Sequence, residues 1–272
     1  METMEHHTGA GGGTLAVAIP YLLIAAALAA YLFAVARQRN SLRPWSRWRT
    51  ISFIVGVSLL AVAMSPSLVR YAHHDLRGHM IQHLLIGMLA PLGLVLAAPL
   101  TLMLRTLPVQ SARVVTSVLR SWAFQWLSHP VTALLLNIGG MYLLYLTPLY
   151  ALTLTNPYMH HLVHLHFLAA GYLFTWSIAG PDPAPGRPAM RTRLVVLFIS
   201  IAAHAYLSKF MYAYSWPRNT PHDMEQIREA AQLMYYGGDF AELLLVIILF
   251  ASWYRDSSRH AYSLNPQVQR SR

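Results

Sequence analysis

The sequence has no cysteine and few charged residues. Only 11% of its 272 residues are charged, whereas soluble domains carry roughly 25%. Without cysteine the protein can form no disulfide, thiolate metal site or catalytic thiol. With so few charges it cannot cover a water-exposed surface. A disulfide scaffold, a soluble enzyme and a disordered chain are therefore excluded.

The chain is instead rich in long apolar stretches. Hydrophobic residues make up 56% of it and the mean hydropathy is +0.40. A helix needs about 20 apolar residues to cross a bilayer. We therefore predict an all-α polytopic membrane protein, a single transmembrane helical domain over residues 1–272. Its seven predicted spans are about 15–36, 50–65, 79–104, 130–147, 158–180, 194–214 and 230–253. Pro91 and Pro99 predict a kink or break in the third span.

The positive charge is almost all arginine and is distributed unevenly between alternate loops. The formal net charge is +10. Fifteen arginines fall in loops 37–49, 105–129 and 181–193 and in the tail after 253, against four in the alternate segments. The positive-inside rule then predicts an external N-terminus and a cytoplasmic C-terminus. The basic charge is thus explained by topology, and we predict no nucleic-acid partner.

Histidine is unusually frequent in a chain with so few Asp, Glu and Lys residues, with 14 in the chain. His79 and His83 are spaced i,i+4 at the predicted external end of the third span, and His160 and His164 repeat that spacing on the fifth. Each pair projects from one helix face, and His161 lies on the adjoining face. Neutral imidazole suits copper, zinc, iron or nickel. Either the pairs bind a metal or the rings lie at headgroup depth as structural groups.

Methionines near the same face narrow the choice of metal. Met80, Met159 and Met211 would add thioether donors to imidazole in a chain without cysteine. Soft thioether ligands favour Cu(I). Met80 also stands where a zincin helix carries its general-base glutamate, so a metalloprotease is rejected.

Two acids lie within the seventh predicted span. Tyr235, Asp239 and Glu242 follow one stripe at i, i+4 and i+7, and acids inside a membrane normally face the bundle interior. His204 of the sixth span should lie at a similar depth. We expect a His204–Asp239 hydrogen bond that either orients a metal ligand or is purely structural.

Several of these segments resemble the CtaG family, the polytopic bacterial cytochrome c oxidase assembly proteins associated with caa3-type oxidases. The resemblance is carried by the following segments: His79–His83, His129-Pro130, Tyr158–Phe167, Trp176–Gly180, Ala203-His204 and Gly237–Asp239. It implies a bacterial plasma-membrane protein that supplies copper to a haem–copper oxidase. It also implies that the external histidines of the family correspond to His79, His83, His160, His164 and His204.

Three functions are carried forward from the sequence. The first is a copper-binding, non-enzymatic assembly factor with oxidase subunits as clients; its oligomeric state is left open. The second is an electron-transfer protein with haem b, since paired histidines on adjacent helices can also be axial ligands. The third is a metal permease. Below His204 its polar path would consist mainly of Asn137, Ser200 and Glu242.

Overall fold

The computed structural model describes residues 10–264, and most of that range is helical. No β-strand occurs in that range, which confirms the all-α prediction. A π-helical turn, Leu85–Leu89, follows the fourth helix. The helices in chain order are α1 (Ala10–Arg37), α2 (Arg47–Ala63), α3 (Pro66–His74), α4 (Leu76–Leu84), α5 (Ala90–Leu96), α6 (Pro99–Thr106), α7 (Val109–Arg120), α8 (Trp122–Leu127), α9 (Pro130–Leu146), α10 (Leu149–Thr155), α11 (Pro157–Ala179), α12 (Met190–Tyr214) and α13 (Met224–Leu264).

Each predicted span has a helical counterpart, although two counterparts are bent. Five stretches are long and apolar enough to cross a membrane unaided: Ala18–Arg37, Leu76–Leu96, Pro157–Ala179, Met190–Tyr214 and Met224–Arg255. Two further candidates are helix pairs, α2 with α3 and α9 with α10, which bend by 52° and 76°. The protein therefore has five to seven candidate spans, and the predicted seven is the upper value. The orientation of the termini stays a prediction.

The third span is interrupted, as its prolines predict. The π-helical turn precedes Pro91, and the helix ends before Ala98, whose φ of 50° lies in the left-handed region. Pro99 then occupies the first turn of α6, where its missing N–H costs nothing. The buried Asp182 accepts hydrogen bonds from the backbone N–H groups of Leu100 and Thr101. A carboxylate at this position satisfies amides that the start of a helix leaves unpaired.

Glycines allow the third span to pack closely against its neighbours. A Cβ added at Gly171 of α11 would lie 1.9 Å from the carbonyl oxygen of Gly87 in the π-helical turn. On the opposite side, a Cβ added at Gly93 would lie 2.9 Å from Cα of Gly56 in α2. Small residues are the usual means by which membrane helices bring their backbones together. The third span is thereby held between α2 and α11.

The start of α4, the start of α11, α3 and the start of α13 meet at one end of the bundle, which we call the histidine end. Contacts between His73 and His160, and between Arg77 and Glu229, define it. The sequence predicts that this end is external.

Candidate metal centre

Two helix starts position the histidine pairs. Asp75 caps α4 by accepting from the backbone N–H of Arg77, and Asn156 caps α11 by accepting from those of Tyr158 and Met159. Side-chain oxygens at this position satisfy unpaired amides and fix where a helix begins. Both helices therefore begin one turn before their first histidine, which fixes the side of the helix from which the histidines project. The Gly87–Gly171 approach then brings the two histidine-bearing faces together.

Four of the predicted ligands are buried at this junction. His79 and His83 are each 2% exposed, His160 is 7% exposed and His164 is 9% exposed. The ring centroids of His160 and His164 lie 4.2 Å apart, and those of His79 and His164 lie 6.4 Å apart. A ligand nitrogen lies about 2.0 Å from a metal ion, so two imidazoles sharing an ion have centroids within about 6.4 Å. His79 and His164 lie at that limit.

His73 of α3, which is not among the ligands predicted from the sequence, extends this group toward the surface. Its ring is exposed and its centroid lies 4.6 Å from that of His160. Its Nδ1 lies 2.8 Å from the carbonyl oxygen of Val69. Its position in an external run with His74 is the signal that could have identified it.

Aromatic side chains enclose the deeper rings. The His79 ring packs edge-on against Tyr150 at 4.9 Å, and the His83 ring against Phe167 at 4.7 Å. Tyr145 lies about equally far from both imidazoles and donates to Sδ of Met80 at 3.5 Å. The Met80 thioether is therefore already in contact with a hydroxyl. None of these aromatic residues was predicted from the sequence, because an aromatic residue in an apolar span looks like any core residue.

The buried imidazoles retain unused polar atoms. Nε2 of His79, both ring nitrogens of His83 and Nε2 of His164 have no hydrogen-bond partner among the described residues. A buried polar group left unpaired costs about 1–3 kcal/mol. The cluster therefore carries an unpaired polar cost that the described residues do not relieve.

The five predicted ligands do not form one set. His204, which is fully buried, lies against α13, and the other four lie between α4 and α11. As the side chains stand, no three His, Asp or Glu residues in the described part of the chain converge on one point. Binding at the histidine end therefore requires the His79 and His164 rings to turn toward one another.

The prediction that His204 and Asp239 form a hydrogen bond is wrong. Neither ring nitrogen of His204 has a hydrogen-bond partner in the described structure, and its acidic neighbour is Glu242, with Nδ1 3.9 Å from Oε1. The His204 ring occupies the space beside Gly238, where an added Cβ would lie 1.8 Å from Cε1. The ring therefore lies against the helix next to Asp239, and Asp239 itself is half-buried.

The remaining predicted residues lie away from the imidazole cluster or at its edge. His161 is exposed, with its ring centroid 5.9 Å from that of His160. The ammonium group of Lys209 lies over the Tyr235 ring, 5.1 Å from the centroid of that ring. His166 contacts the carbonyl oxygen of Leu136 at 3.0 Å. The N-terminal His6 and His7 lie outside the described residues.

An ion-pair network closes the histidine end. The Arg77 guanidinium bonds both carboxylate oxygens of Asp75 and reaches Oε2 of Glu229 at 2.6 Å, joining α4 to α13. Hydrogen bonding from Arg77 lowers the pKa of Asp75. Nearby, His222 contacts the Tyr150 hydroxyl at 3.0 Å, and burial lowers the pKa of its imidazole. Arg77 thus holds two carboxylates beside the histidine cluster.

These features define a multi-pass helical membrane protein with buried histidines gathered at one end. The model of the cytochrome c oxidase caa3 assembly factor family matches residues 29–256. The chain belongs to that family.

The curated relatives of the chain are uncharacterized mycobacterial proteins. The chain is 33% identical over 192 residues to one from Mycobacterium bovis and to one from Mycobacterium tuberculosis, an alignment that covers 68% of this chain and 29% of each relative. It is 27% identical over 250 residues to one from Mycobacterium leprae, which covers 85% of this chain and 38% of the relative. The chain thus spans less than two fifths of the length of these relatives. No solved structure matches it.

Proposed function

We propose that this protein is a non-enzymatic assembly factor that binds copper, as Cu(I), and delivers it to the catalytic subunit of a cytochrome c oxidase. The membrane is the bacterial plasma membrane, and the histidine end faces outward. Copper is the cargo of this activity. The family description supports an oxidase as the client.

The unpaired nitrogens of the buried imidazoles are the observation that carries the proposal. Four such nitrogens lie on His79, His83 and His164, within an aromatic enclosure. At about 1–3 kcal/mol each, their burial is a substantial cost unless a partner is bound. A soft cation bound by neutral imidazole would offset this cost for the one lone-pair nitrogen of each ring that it takes.

The geometry favours His79, His160 and His164 as the ligands nearest the surface. Their ring separations of 4.2 and 6.4 Å lie within the reach of one ion after rotation of the rings. His73, next to His160, is suited to receiving the ion first because its ring is exposed. His83 lies one helical turn deeper than His79.

Copper content of the purified full-length protein tests the proposal. We expect the wild type to retain Cu(I) supplied anaerobically, and the His79→Ala/His164→Ala double variant to lose the ion bound at the histidine end. His74→Ala is the matched control, because His74 is an exposed histidine on α3. Equal copper content in the wild type and the double variant would refute the assignment. A Soret band in the purified protein would indicate haem b instead.

A further inference from the structure

A second group of unpaired polar atoms lies deeper in the bundle, between α12 and α13. His204 is fully buried and Glu242 is 4% exposed. Both ring nitrogens of His204 and Oε2 of Glu242 have no hydrogen-bond partner among the described residues. Nδ1 of His204 and Oε1 of Glu242 face each other at 3.9 Å, too far for a hydrogen bond.

That separation suits two ligands of one ion. Metal–nitrogen and metal–oxygen bonds to imidazole and carboxylate are about 2.0–2.2 Å long. Two donors 3.9 Å apart can therefore both bind an ion placed between them, at a wide angle. Without an ion, an intramembrane carboxylate and an imidazole at this distance form no direct hydrogen bond, which is an expensive arrangement.

A small cavity adjoins Glu242, and His204 is not among the residues that line it. It encloses about 20 Å³, room for roughly one water molecule or one ion. Its polar lining residues are Asn137, Thr175, Ser200 and Glu242, and Met88 and Met141 also line it. Asn137, Ser200 and Glu242 are the three residues of the polar path predicted below His204 for a permease. The structure gathers them around one space.

We propose that His204 and Glu242 form an inner binding site for a monovalent soft cation, Cu(I), separate from the site at the histidine end. Glu242 is the carboxylate that lines the cavity, so it would neutralise the single charge of a monovalent ion bound there. Imidazole and the methionine sulfurs favour Cu(I) over hard monovalent cations. This inner site deepens the proposed function, on which it rests for the identity of the ion.

Gly238 makes the inner site sterically feasible. The His204 ring lies so close to α13 that any side chain at residue 238 would collide with it. Glu242 lies one helical turn further along the same helix. Gly238 and the one-turn spacing from it to Glu242 therefore place the His204 ring beside the Glu242 carboxylate.

Cu(I) stoichiometry of the full-length protein in detergent separates the two sites. Cu(I) would be supplied anaerobically with a competing chelator, and bound copper counted per chain after gel filtration. We expect about two ions in the wild type, about one in Glu242→Gln and about one in His79→Ala/His164→Ala. Glu225→Gln, which changes an exposed acid on the same helix, should still bind two. His204→Asn should match Glu242→Gln, so the result depends on neither variant alone.

Each other pattern has a distinct meaning. One ion in the wild type that persists in Glu242→Gln and disappears from the histidine-end variant overturns the inner site and leaves the proposed function standing. One ion that disappears from Glu242→Gln and persists in the histidine-end variant supports the inner site and overturns the outer one. No bound copper in the wild type overturns both.

Discussion

The close approach of Gly87 and Gly171 can be tested with a single methyl group. In Gly171→Ala the new Cβ would lie 1.9 Å from the Gly87 carbonyl oxygen, whereas ordinary contact begins at 3.4 Å. The obstacle is backbone, so the helices must separate by about 1.5 Å, the difference between those two distances. Such overpacking costs about 1–3 kcal/mol. Alanine gains at most about 1 kcal/mol in helix propensity, so the clash should dominate.

Separation of α11 from the third span should also move His164 away from His79. Those rings already lie at the distance limit for sharing one ion, so a further 1 Å or more should weaken Cu(I) binding at the histidine end. We expect a lower melting temperature in detergent, followed by circular dichroism, and a lower copper content at equal chelator concentration.

Gly139→Ala is the matched control for that experiment. It places the same methyl group in the same kind of span, but a Cβ at residue 139 meets nothing within 4 Å. The control should be neutral or slightly stabilised. A Gly171→Ala protein as stable as this control, with unchanged copper content, would refute the view that backbone approach positions the imidazoles.

Three further predictions concern topology, acid stability and the inner pair. A reporter active only in the periplasm should work when fused near residue 155 and fail when fused after residue 260; the reverse pattern would invert the orientation inferred from arginine. Arg77 lowers the pKa of Asp75, so the stability that their ion pair contributes should be complete above the ordinary carboxyl pKa of 3.8 and be lost as the pH falls below that value. The melting temperature of Asp75→Asn should therefore fall less steeply at low pH than that of the wild type. Gly238→Ala should displace the His204 ring and remove the inner copper ion while the outer one remains, and two bound ions in that variant would contradict the inner geometry.

Much of the fold can be predicted from the lengths of apolar stretches and the positions of prolines along the sequence. Apolar length predicts every candidate span, and Pro91 and Pro99 predict the broken third one. The last helix begins at Met224, before its predicted start at residue 230. Its first two turns carry Glu225, Arg228 and Glu229, which mask the apolar signal although the helix continues through them.

The histidine pairs could be predicted because i,i+4 spacing is a property of one helix. Their separations could not, since these depend on the Gly87–Gly171 contact between helices distant in sequence. The same limit explains the wrong partner for His204. Asp239 and Glu242 share a stripe, and the choice between them depends on how α12 rotates against α13, which the position of Gly238 decides.

The π-helical turn at Leu85–Leu89 rotates the part of the third span before it relative to the part after it. A π turn contains more residues than an α turn, so the helix before it and the helix after it are not in continuous register. The histidines at 79 and 83 are aligned on one side of this offset, and Gly93, which packs on α2, is aligned on the other. Deleting one residue there would restore a continuous α-helix and rotate one half by about 100° relative to the other. The span could then direct its imidazoles toward α11 or its glycine toward α2, but not both.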